Sequence, residues 1–387
     1  MDFSEDEDLR AIREAVTDLA ARFDRDYWSR HDRDHTFPWD FYAALADAGW
    51  IGISVPEEYG GGGLGVAAAA TMLEALASSD GAMNACTPVH LSMFGMNIVA
   101  KHGSEEMRRR TLSRVATGEL HACFGVTEPD AGTDTSRITT RAVRDGDSYV
   151  VNGRKIWISK AGESELVVLA VRTSPRDESA PMRGISILLV PMDAPGVSVE
   201  PIPKMGRNAV ASNEVTFEDV RVPADALVGV EGDGFRVLLD GLNPERILLA
   251  HEALGIGRAS VAAAVRYANE RTVFGRAIGS NQGIAFPLAE ATARLDAADL
   301  ACRHAAWRYD NGLSCAREAN TAKFLAADAG FFAADRAMQT FGGMGYAEEF
   351  GIPRYFREAR LMKIAPVSQE MVLAYLAQNV LGLPRSY

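Results

Sequence analysis

The sequence predicts an α+β chain in which an antiparallel β-barrel or β-sandwich domain lies between two helical domains. Two observations support this prediction. Apolar residues recur at helical spacing at both ends of the chain, whereas alternating and β-branched runs fill the middle. We place an N-terminal α-helical domain at 1–120, a β-domain at 121–230 and a C-terminal α-helical bundle at 231–387. Because 47% of the 387 residues are hydrophobic, the chain can form one large core or several smaller ones.

The first segment begins with a predicted helix, along which apolar residues recur at helical spacing: Leu9, Ile12, Val16, Leu19 and Phe23. Further helices are predicted around 41–45, 66–78 and 91–100. Between them lies the run Gly60-Gly61-Gly62-Gly63, which suits a sharp turn, the close approach of a ligand or a flexible connector. It is not a P-loop, because no Gly-Lys-Ser/Thr follows it.

The middle segment contains β-branched runs at 149–151, 166–171 and 185–190, and turn residues separate them. The pair Asn152-Gly153 is a strong hairpin signal and predicts a turn at that point. From Gly232 onward the pattern is helical again. The predicted helices cover roughly 234–270, 283–311, 315–341 and 366–381.

Charge and composition exclude several classes of protein. The formal charge is −12, which disfavours binding to nucleic acid or an anionic membrane but leaves room for a local basic pocket for a phosphorylated ligand. The first residues are acidic and resemble no secretory signal, and no run approaches the ~18 apolar residues of a spanning helix. We therefore expect a cytoplasmic protein without membrane insertion.

The cysteines indicate neither a disulfide framework nor a metal centre. Cys86, Cys123, Cys302 and Cys315 show no CxxC spacing and have no set of histidine partners. We interpret them as reduced thiols and predict no metal site.

One stretch of the middle segment suggests a ligand site. From Ala122 to Asp134 a strand-like piece runs into a turn rich in Pro, Gly and Asp, with many backbone N–H groups and hydroxyls. Such a turn can hold a phosphate or the edge of a heteroaromatic ring, although an ordinary β-turn has the same composition.

The full string from Ala122 to Asp134 resembles the most diagnostic motif of the acyl-CoA dehydrogenase family, Thr-Glu-Pro followed by Gly-Ser-Asp. Thr133 stands where the family usually has serine. Four further stretches match the family in the same order along the chain, namely 55–61, 152–159, 271–275 and 339–346. Together the five matches span most of the chain.

The resemblance implies non-covalently bound FAD, shared between the subunits of a homodimer or a homotetramer built as a dimer of dimers. By position, one set of residues would contact the flavin and its pyrophosphate: Phe124, Val126, Thr127, Gly132, Thr133, Trp157, Ile158 and Ser159. A second set would reach FAD bound mainly by a neighbouring subunit: Arg271, Phe274, Gln282, Gln339, Gly342 and Gly343. Ser368 and Glu370 also match positions that contact FAD.

The family removes a proton from the carbon alpha to a thioester, while a hydride passes from the beta carbon to flavin N5. This reaction needs a carboxylate base against the substrate. Most members carry it near the C-terminus within Ile-Tyr-Glu-Gly-Thr, but here Pro366 occupies the carboxylate position. Isovaleryl-CoA dehydrogenase-like members place the glutamate on a helix instead, and Glu245 matches that position. We therefore predict Glu245 as the base, with Glu370 as the alternative.

The substrate site is also inferred from the resemblance. Thr133, Asn243 and Arg246 match positions that contact substrate, although Arg246 is equally compatible with a structural ion pair. Proline has no N–H to donate to the thioester oxygen, so the donor is Val367 or the loop has shifted. Alternatively, Pro366 begins the final helix, where a missing N–H costs nothing.

The resemblance thus implies an enzyme that oxidises an acyl-CoA to the trans-2-enoyl-CoA and passes electrons to an electron-transferring flavoprotein. Three alternatives stay open at the level of the sequence. They are an acyl-CoA oxidase, a dehydrogenase of carrier-protein-linked acyl groups, and a flavin-binding but catalytically silent relative.

Overall fold

The computed structural model describes residues 6–385, with the side chain of Phe94 left aside. The N-terminal part of this range contains α1 (Glu7–Ala20), α2 (Arg25–Asp34), α3 (Trp39–Asp47), α4 (Val66–Ala77), α5 (Met83–His102) and α6 (Glu105–Ala116). Helices α1, α3 and α4 agree with the predicted ones, and α5 begins eight residues earlier than predicted. The sequence did not indicate α2, which is mostly charged and buries only Trp28 and Asp32.

The glycine run after residue 59 packs against its own chain. Gly62 N–H donates to Gly52 O at 2.9 Å, and Leu64 N–H donates to Ile53 O at 3.0 Å. A Cβ atom on Gly61 would lie 2.2 Å from Val55 O, so any larger residue would displace backbone. The run is therefore a packed turn, and the flexible-connector interpretation is wrong.

The middle part is a single eight-stranded sheet in which β1 pairs with β4 and the other strands follow the order β6-β7-β3-β2-β4-β5-β8. The strands are β1 (Ala122–Gly125), β2 (Arg141–Asp145), β3 (Ser148–Ser159), β4 (Leu166–Arg172), β5 (Ile185–Pro191), β6 (Val197–Pro201), β7 (Ser212–Pro223) and β8 (Leu227–Val228). Most pairs are antiparallel, but β4 pairs in parallel with β1 and β2. The predicted β-domain is confirmed and is mainly antiparallel; parallel pairing occurs where β1 lies beside β4, a strand buried along nearly its whole length.

The hairpin predicted at Asn152-Gly153 is also wrong. These residues lie inside β3, and the turn of the β2–β3 hairpin is at 146–147, between the paired residues Asp145 and Ser148. Gly153 has φ +150° at a shift in register between β3 and β7, and a Cβ atom there would lie 2.6 Å from Thr140 Cα. Glycine is required at this bulge by close packing.

The C-terminal part is helical, with a two-stranded hairpin after its first helix. It comprises α7 (Gly234–Glu270), β9 (Thr272–Val273), β10 (Arg276–Ala277), α8 (Gln282–Asp310), α9 (Ala316–Phe341), α10 (Ile352–Leu361), α11 (Gln369–Tyr375) and a π-helical turn (Leu376–Val380). Helices α7, α8 and α9 agree with the predicted ranges to within one residue at each end, while α10 was not predicted. The helical, β, helical order is confirmed, and the boundaries at 120 and 230 stay predictions.

Helix α7 is the central element of the helical core. Its apolar residues pack in one cluster with residues of α1, α3, α4, α5, α8 and α9. By length and composition α7 could cross a membrane, but 78% of its most apolar window is buried inside the protein. This burial is typical of the core helix of a globular protein.

A buried ion pair holds the segment after β1 against β3. The Glu128 carboxylate accepts hydrogen bonds from Lys155 Nζ at 2.8 Å and from the N–H groups of Thr139 and Thr140 at 2.6 and 2.9 Å. Burial opposes the charge of Glu128, but Lys155 outweighs it and lowers the pKa of Glu128 to about 2. Lys155 Nζ also donates to Val126 O at 2.9 Å, so the pair fixes the backbone of 126–128.

We expect Glu128→Gln to lower the free energy of unfolding by about 3–5 kcal/mol, because it leaves the buried Lys155 ammonium without its counter-charge. Since the folded pKa lies below the ordinary 4.5, the charge of Glu128 stabilises fully above that pH and its contribution is lost as pH falls toward about 2. Unfolding by denaturant between about pH 7 and pH 3 measures both effects. The exposed Glu178→Gln is the matched control, and an equal loss in both variants would contradict this account.

Candidate active site

Glu245 lies on α7 and its carboxylate is buried, with the residue only 5% exposed. Its Oε2 is 2.7 Å from Nε2 of His90, a residue of α5. The other ring nitrogen of His90, Nδ1, is 2.9 Å from Oε1 of Glu252. Because Glu245 and Glu252 are seven residues apart, they lie on one face of α7, two turns from each other. The imidazole of α5 thus bridges two carboxylates of α7.

This arrangement changes the electrostatics of the site. Burial alone would lower the pKa of His90, but the charges of Glu245 and Glu252 and the hydrogen bonds to them raise it well above 6.5. Each ring nitrogen faces a carboxylate oxygen, which suits a histidine that carries both N–H protons. We therefore assign His90 the positive charge that balances the buried carboxylates.

Sequence reasoning missed His90 and Glu252. Near Glu245 in the sequence, Ile247 and Leu248 are apolar, whereas the Glu245 carboxylate faces the His90 imidazole. The spacing of Glu245 and Glu252 on one face of an apolar helix was a signal that a buried partner is needed. No local signal marks His90, since α5 approaches α7 only through tertiary packing.

Arg246 and Asn243 lie beside Glu245 on α7. Arg246 Nη1 donates to Asn243 Oδ1 at 3.2 Å, while its Nε is buried without a partner. Burial lowers the pKa of Arg246. Within residues 6–385 no salt bridge joins Arg246 to a carboxylate, so the ion-pair interpretation is not supported. The unsatisfied Nε is suited to a ligand acceptor.

The loop that contains Pro366 lies near Arg246 in the helical bundle. Lys323 Nζ, from α9, donates to Val367 O at 2.6 Å. Burial and the charge of Arg246 lower the pKa of Lys323 to about 8, so Arg246 and the loop are near neighbours. Pro366 does not begin the final helix, which starts at Gln369 with Ser368 as its cap, so that interpretation is wrong.

Glu370 differs from Glu245 in its environment. It is the second residue of α11 and is exposed. Its own backbone N–H and the Ser368 hydroxyl lower the pKa of Glu370. This carboxylate therefore belongs to the first turn of a helix, where it stabilises the N-terminus.

The structure brings the first set of flavin-contact residues together around the end of β1. Ile156 N–H donates to Thr127 O at 2.9 Å, which places 126–127 next to 156–157. Trp157 has φ +62° and is 54% exposed, so its indole is available to a flat ring. Gly132 and Thr133 are exposed in the following turn, and a Cβ atom on Gly132 would meet nothing within 4 Å. These features fit the ring and pyrophosphate of FAD.

Two residues of this set point inward. Ile158 packs in the core of the sheet and is 1% exposed. Ser159 is also buried, and its hydroxyl accepts a hydrogen bond from Arg207 Nη2 at 3.0 Å. Contact between these two residues and a flavin must therefore come from the backbone. Phe124 in β1 and Val126 just after it lie on either side of the buried Gly125 and are partly exposed.

The second set lies on the helical part and is exposed: Arg271, Phe274, Gln282, Gln339, Gly342 and Gly343. Tyr267, one turn before Arg271, stacks on Phe341 with ring centroids 4.1 Å apart, which places the two segments side by side. Phe274 is fully exposed at φ +52°. Such exposure fits residues that contact another subunit and its FAD. The roles of both sets, and of Ser368, stay predictions.

A cavity of about 550 Å³ on the β-domain has four arginines in its lining, of which Arg137 and Arg176 pair with Asp134 and Glu178. Arginines and hydroxyl groups line it, including Arg137, Arg141, Arg172, Arg176, Thr139, Thr173 and Ser174. Guanidinium groups and hydroxyls are suited to phosphates.

Family models match nearly the whole chain. The acyl-CoA dehydrogenase N-terminal domain matches residues 6–119, the middle domain 123–220 and the C-terminal domain 232–381. The acyl-CoA dehydrogenase FadE12 of Mycobacterium tuberculosis is 39% identical over 387 residues, which cover 100% of this chain and 99% of the relative.

Solved structures agree with these matches. Butyryl-CoA dehydrogenase from Megasphaera elsdenii superposes with a TM-score of 0.93 at 29% identity, covering 98% of this chain and 100% of the other. The FAD complex of PigA superposes with a TM-score of 0.92 at 26% identity, covering 99% and 100%. The chain therefore belongs to the acyl-CoA dehydrogenase family of FAD-dependent oxidoreductases.

Proposed function

We propose that this enzyme oxidises an acyl-CoA thioester to the trans-2-enoyl-CoA, with Glu245 as the base that removes the α-proton. The observation that carries the proposal is the buried Glu245 carboxylate, held 2.7 Å from His90 beside the unsatisfied Nε of Arg246. The family's usual base position is occupied by Pro366. Glu370 is exposed and belongs to a helix N-terminus, which makes it a poor candidate.

The chain's own residues supply the acid–base part of the reaction. A base on a rigid helix, shielded from water, can abstract a weakly acidic proton from a substrate held against it. Arg246 contributes a buried donor at which an acceptor of the substrate can bind, with Asn243 orienting its guanidinium. FAD, when bound, supplies flavin N5 as the acceptor for the hydride that leaves the beta carbon.

Two groups of residues would hold FAD. The 126–133 turn and Trp157 would contact the ring and pyrophosphate from one subunit. Arg271 and the 339–343 segment would reach FAD of a neighbouring subunit in a homodimer or homotetramer. The fully exposed Phe274 supports such an assembly, because an exposed aromatic side chain favours burial in an interface. The arginine-lined cavity of the β-domain is suited to the phosphates of CoA.

We further propose that the electrons pass to an electron-transferring flavoprotein, as the family resemblance implies. The four cysteines are free and buried, which supports a reducing compartment such as the cytoplasm.

Anaerobic addition of acyl-CoA thioesters to the purified holoprotein tests the reaction. We expect loss of the oxidised flavin band with at least one member of a panel from butyryl-CoA to palmitoyl-CoA that includes isovaleryl-CoA. Glu245→Gln should slow this reduction by about 10²–10⁴-fold with flavin still bound, because the base is lost.

Glu370→Gln is the comparison for the alternative base; because Glu370 matches a position that contacts FAD, its rate is measured per bound flavin and should far exceed that of Glu245→Gln. A wild-type protein that no acyl-CoA reduces would contradict the proposed reaction and favour a silent relative. Full rates in Glu245→Gln would contradict only the assignment of the base. Rapid peroxide formation in air would indicate an oxidase.

Arg271→Gln tests the shared cofactor site. Loss of a charge-assisted hydrogen bond to a phosphate, worth about 1.5–3 kcal/mol, should weaken FAD binding about 10- to 100-fold. Cofactor content after dialysis and sedimentation of the wild type measure this. Arg317→Gln, which changes another exposed arginine, is the control. A monomeric wild type, or full FAD retention in Arg271→Gln, would contradict the proposed sharing.

A further inference from the structure

We propose that His90 is a positioning residue for the base: an imidazolium, held by Glu252, that places a positive charge against the Glu245 carboxylate and aims it at the substrate. This inference rests on the proposed function of Glu245. It adds His90 of α5 and the Glu252 carboxylate to the residues that support the base, and neither of them has to touch the substrate.

The contacts of His90 determine which of the three side chains carry protons. His90, Glu245 and Glu252 are 5%, 5% and 0% exposed. Both ring nitrogens of His90 lie within hydrogen-bond distance of a carboxylate oxygen, at 2.7 and 2.9 Å. A neutral imidazole has one N–H, so one contact would lack a proton unless a carboxyl group were protonated. A doubly protonated ring satisfies both contacts and balances one of the two negative charges.

Glu252 completes the arrangement from behind. One of its oxygens, Oε1, faces His90, while Oε2 is buried without a hydrogen-bond partner. A carboxylate on the far side of the ring fixes the orientation of the imidazole and favours its charged form. The same logic, with a carboxylate orienting a histidine that acts on a third group, underlies catalytic triads.

The other charges around the ring come from several elements. From α7, Arg246 acts on Glu245. From the segment before β7, Arg207 acts on Glu252. From the end of β3, Lys160 Nζ donates to Pro88 O and Ser92 Oγ, two residues before and after His90.

The Cys86 thiol of α5 and the Glu358 carboxylate of α10 complete the surroundings. Burial raises the pKa of Cys86, and the negative charges of Glu252 and Glu358 raise it further. The positive charges of Arg246 and Arg207 therefore stabilise the carboxylates of Glu245 and Glu252. Glu358 and the Cys86 thiol are further titratable groups near the ring.

The charge state of the site during the reaction follows from this arrangement. Before the reaction the three side chains carry two negative charges and one positive charge. When the Glu245 carboxylate accepts the α-proton it becomes a neutral carboxylic acid, and the His90–Glu252 ion pair that is left is neutral overall. Proton transfer thus leaves no uncompensated charge within the triad.

Two measurements on the holoprotein test the proposal. The first is the pH profile of anaerobic flavin reduction, with isovaleryl-CoA or octanoyl-CoA, whichever reduces the wild type faster. In His90→Gln, which keeps a hydrogen-bond donor but no charge, the acid limb should move to higher pH. The rate at about pH 7 should fall roughly tenfold or more and recover at higher pH. Glu252→Gln should shift the limb in the same direction, because without the Glu252 charge the His90 ring loses its proton and Glu245 loses the nearer positive charge.

The second measurement is independent of turnover. Nitrogen NMR of histidine-labelled holoprotein at about pH 8 should show an imidazolium signal from His90 in the wild type, whereas an ordinary histidine is neutral there. This signal should be absent in His90→Gln and lost or weakened in Glu252→Gln. FAD content and the thermal midpoint of each variant establish that it is folded.

His251→Gln is the matched control, because His251 is a buried histidine of α7 that pairs with Glu74 at 2.8 Å. It should lower stability without moving the pH profile. A rate loss in His90→Gln that is uniform across pH, or a neutral His90 in the wild type, would overturn the proposal. If no acyl-CoA reduces the wild type, the proposed function fails, while the NMR result still decides the charge of His90.

Discussion

Helix α7 carries Glu245, His251 and Glu252 into the interior of the protein, and each of these three has a partner on another helix. Glu245 and Glu252 face His90 of α5, and His251 faces Glu74 of α4. Removing one partner of such a buried pair leaves an uncompensated charge and costs several kcal/mol. These pairings therefore fix the rotation and register of α7 against α4 and α5. The apolar residues of α7 supply the attraction, and the buried charges select one arrangement.

The same constraint produces the candidate active site. A glutamate on a long, central helix is held more rigidly than one on a loop, and the His90 imidazole fixes its carboxylate further. The Pro366 loop, where most family members carry the base, here contacts Lys323 through Val367 O and leaves the carboxylate role open. In the proposed site, the position of the base on α7 and the buried histidine belong together, because a buried anion needs a compensating charge.

Much of this architecture could be predicted from sequence. Regular apolar spacing located α7, α8 and α9 to within one residue at each end, and the five motifs indicated the family. Local sequence signals gave the wrong secondary structure where tertiary contacts determine it. Gly153 serves a bulge packed on Thr140 and not a hairpin turn. Helix α2 was not predicted because most of its residues are charged and its two buried residues, Trp28 and Asp32, form no apolar pattern.

The site shows the same limit. Glu245 could be singled out because motif order and the proline at 366 both indicated it. His90 could not, since it is 155 positions away in the chain and only the packing of α5 on α7 brings it to the carboxylate. Directions of side chains in β3 were also beyond the sequence. Trp157 faces outward at positive φ while Ile158 is buried, so a contiguous motif divides between surface and core.

The structure of the holoenzyme with FAD and an unreactive acyl-CoA analogue tests the central claim most directly. The distance to measure is the one between the Glu245 carboxylate and the substrate carbon alpha to the thioester. We predict that it is about 3–3.5 Å, the range for reacting atoms, with the contact to His90 retained. Another carboxylate against that carbon, such as Glu370, with Glu245 turned away from the substrate, would contradict the account.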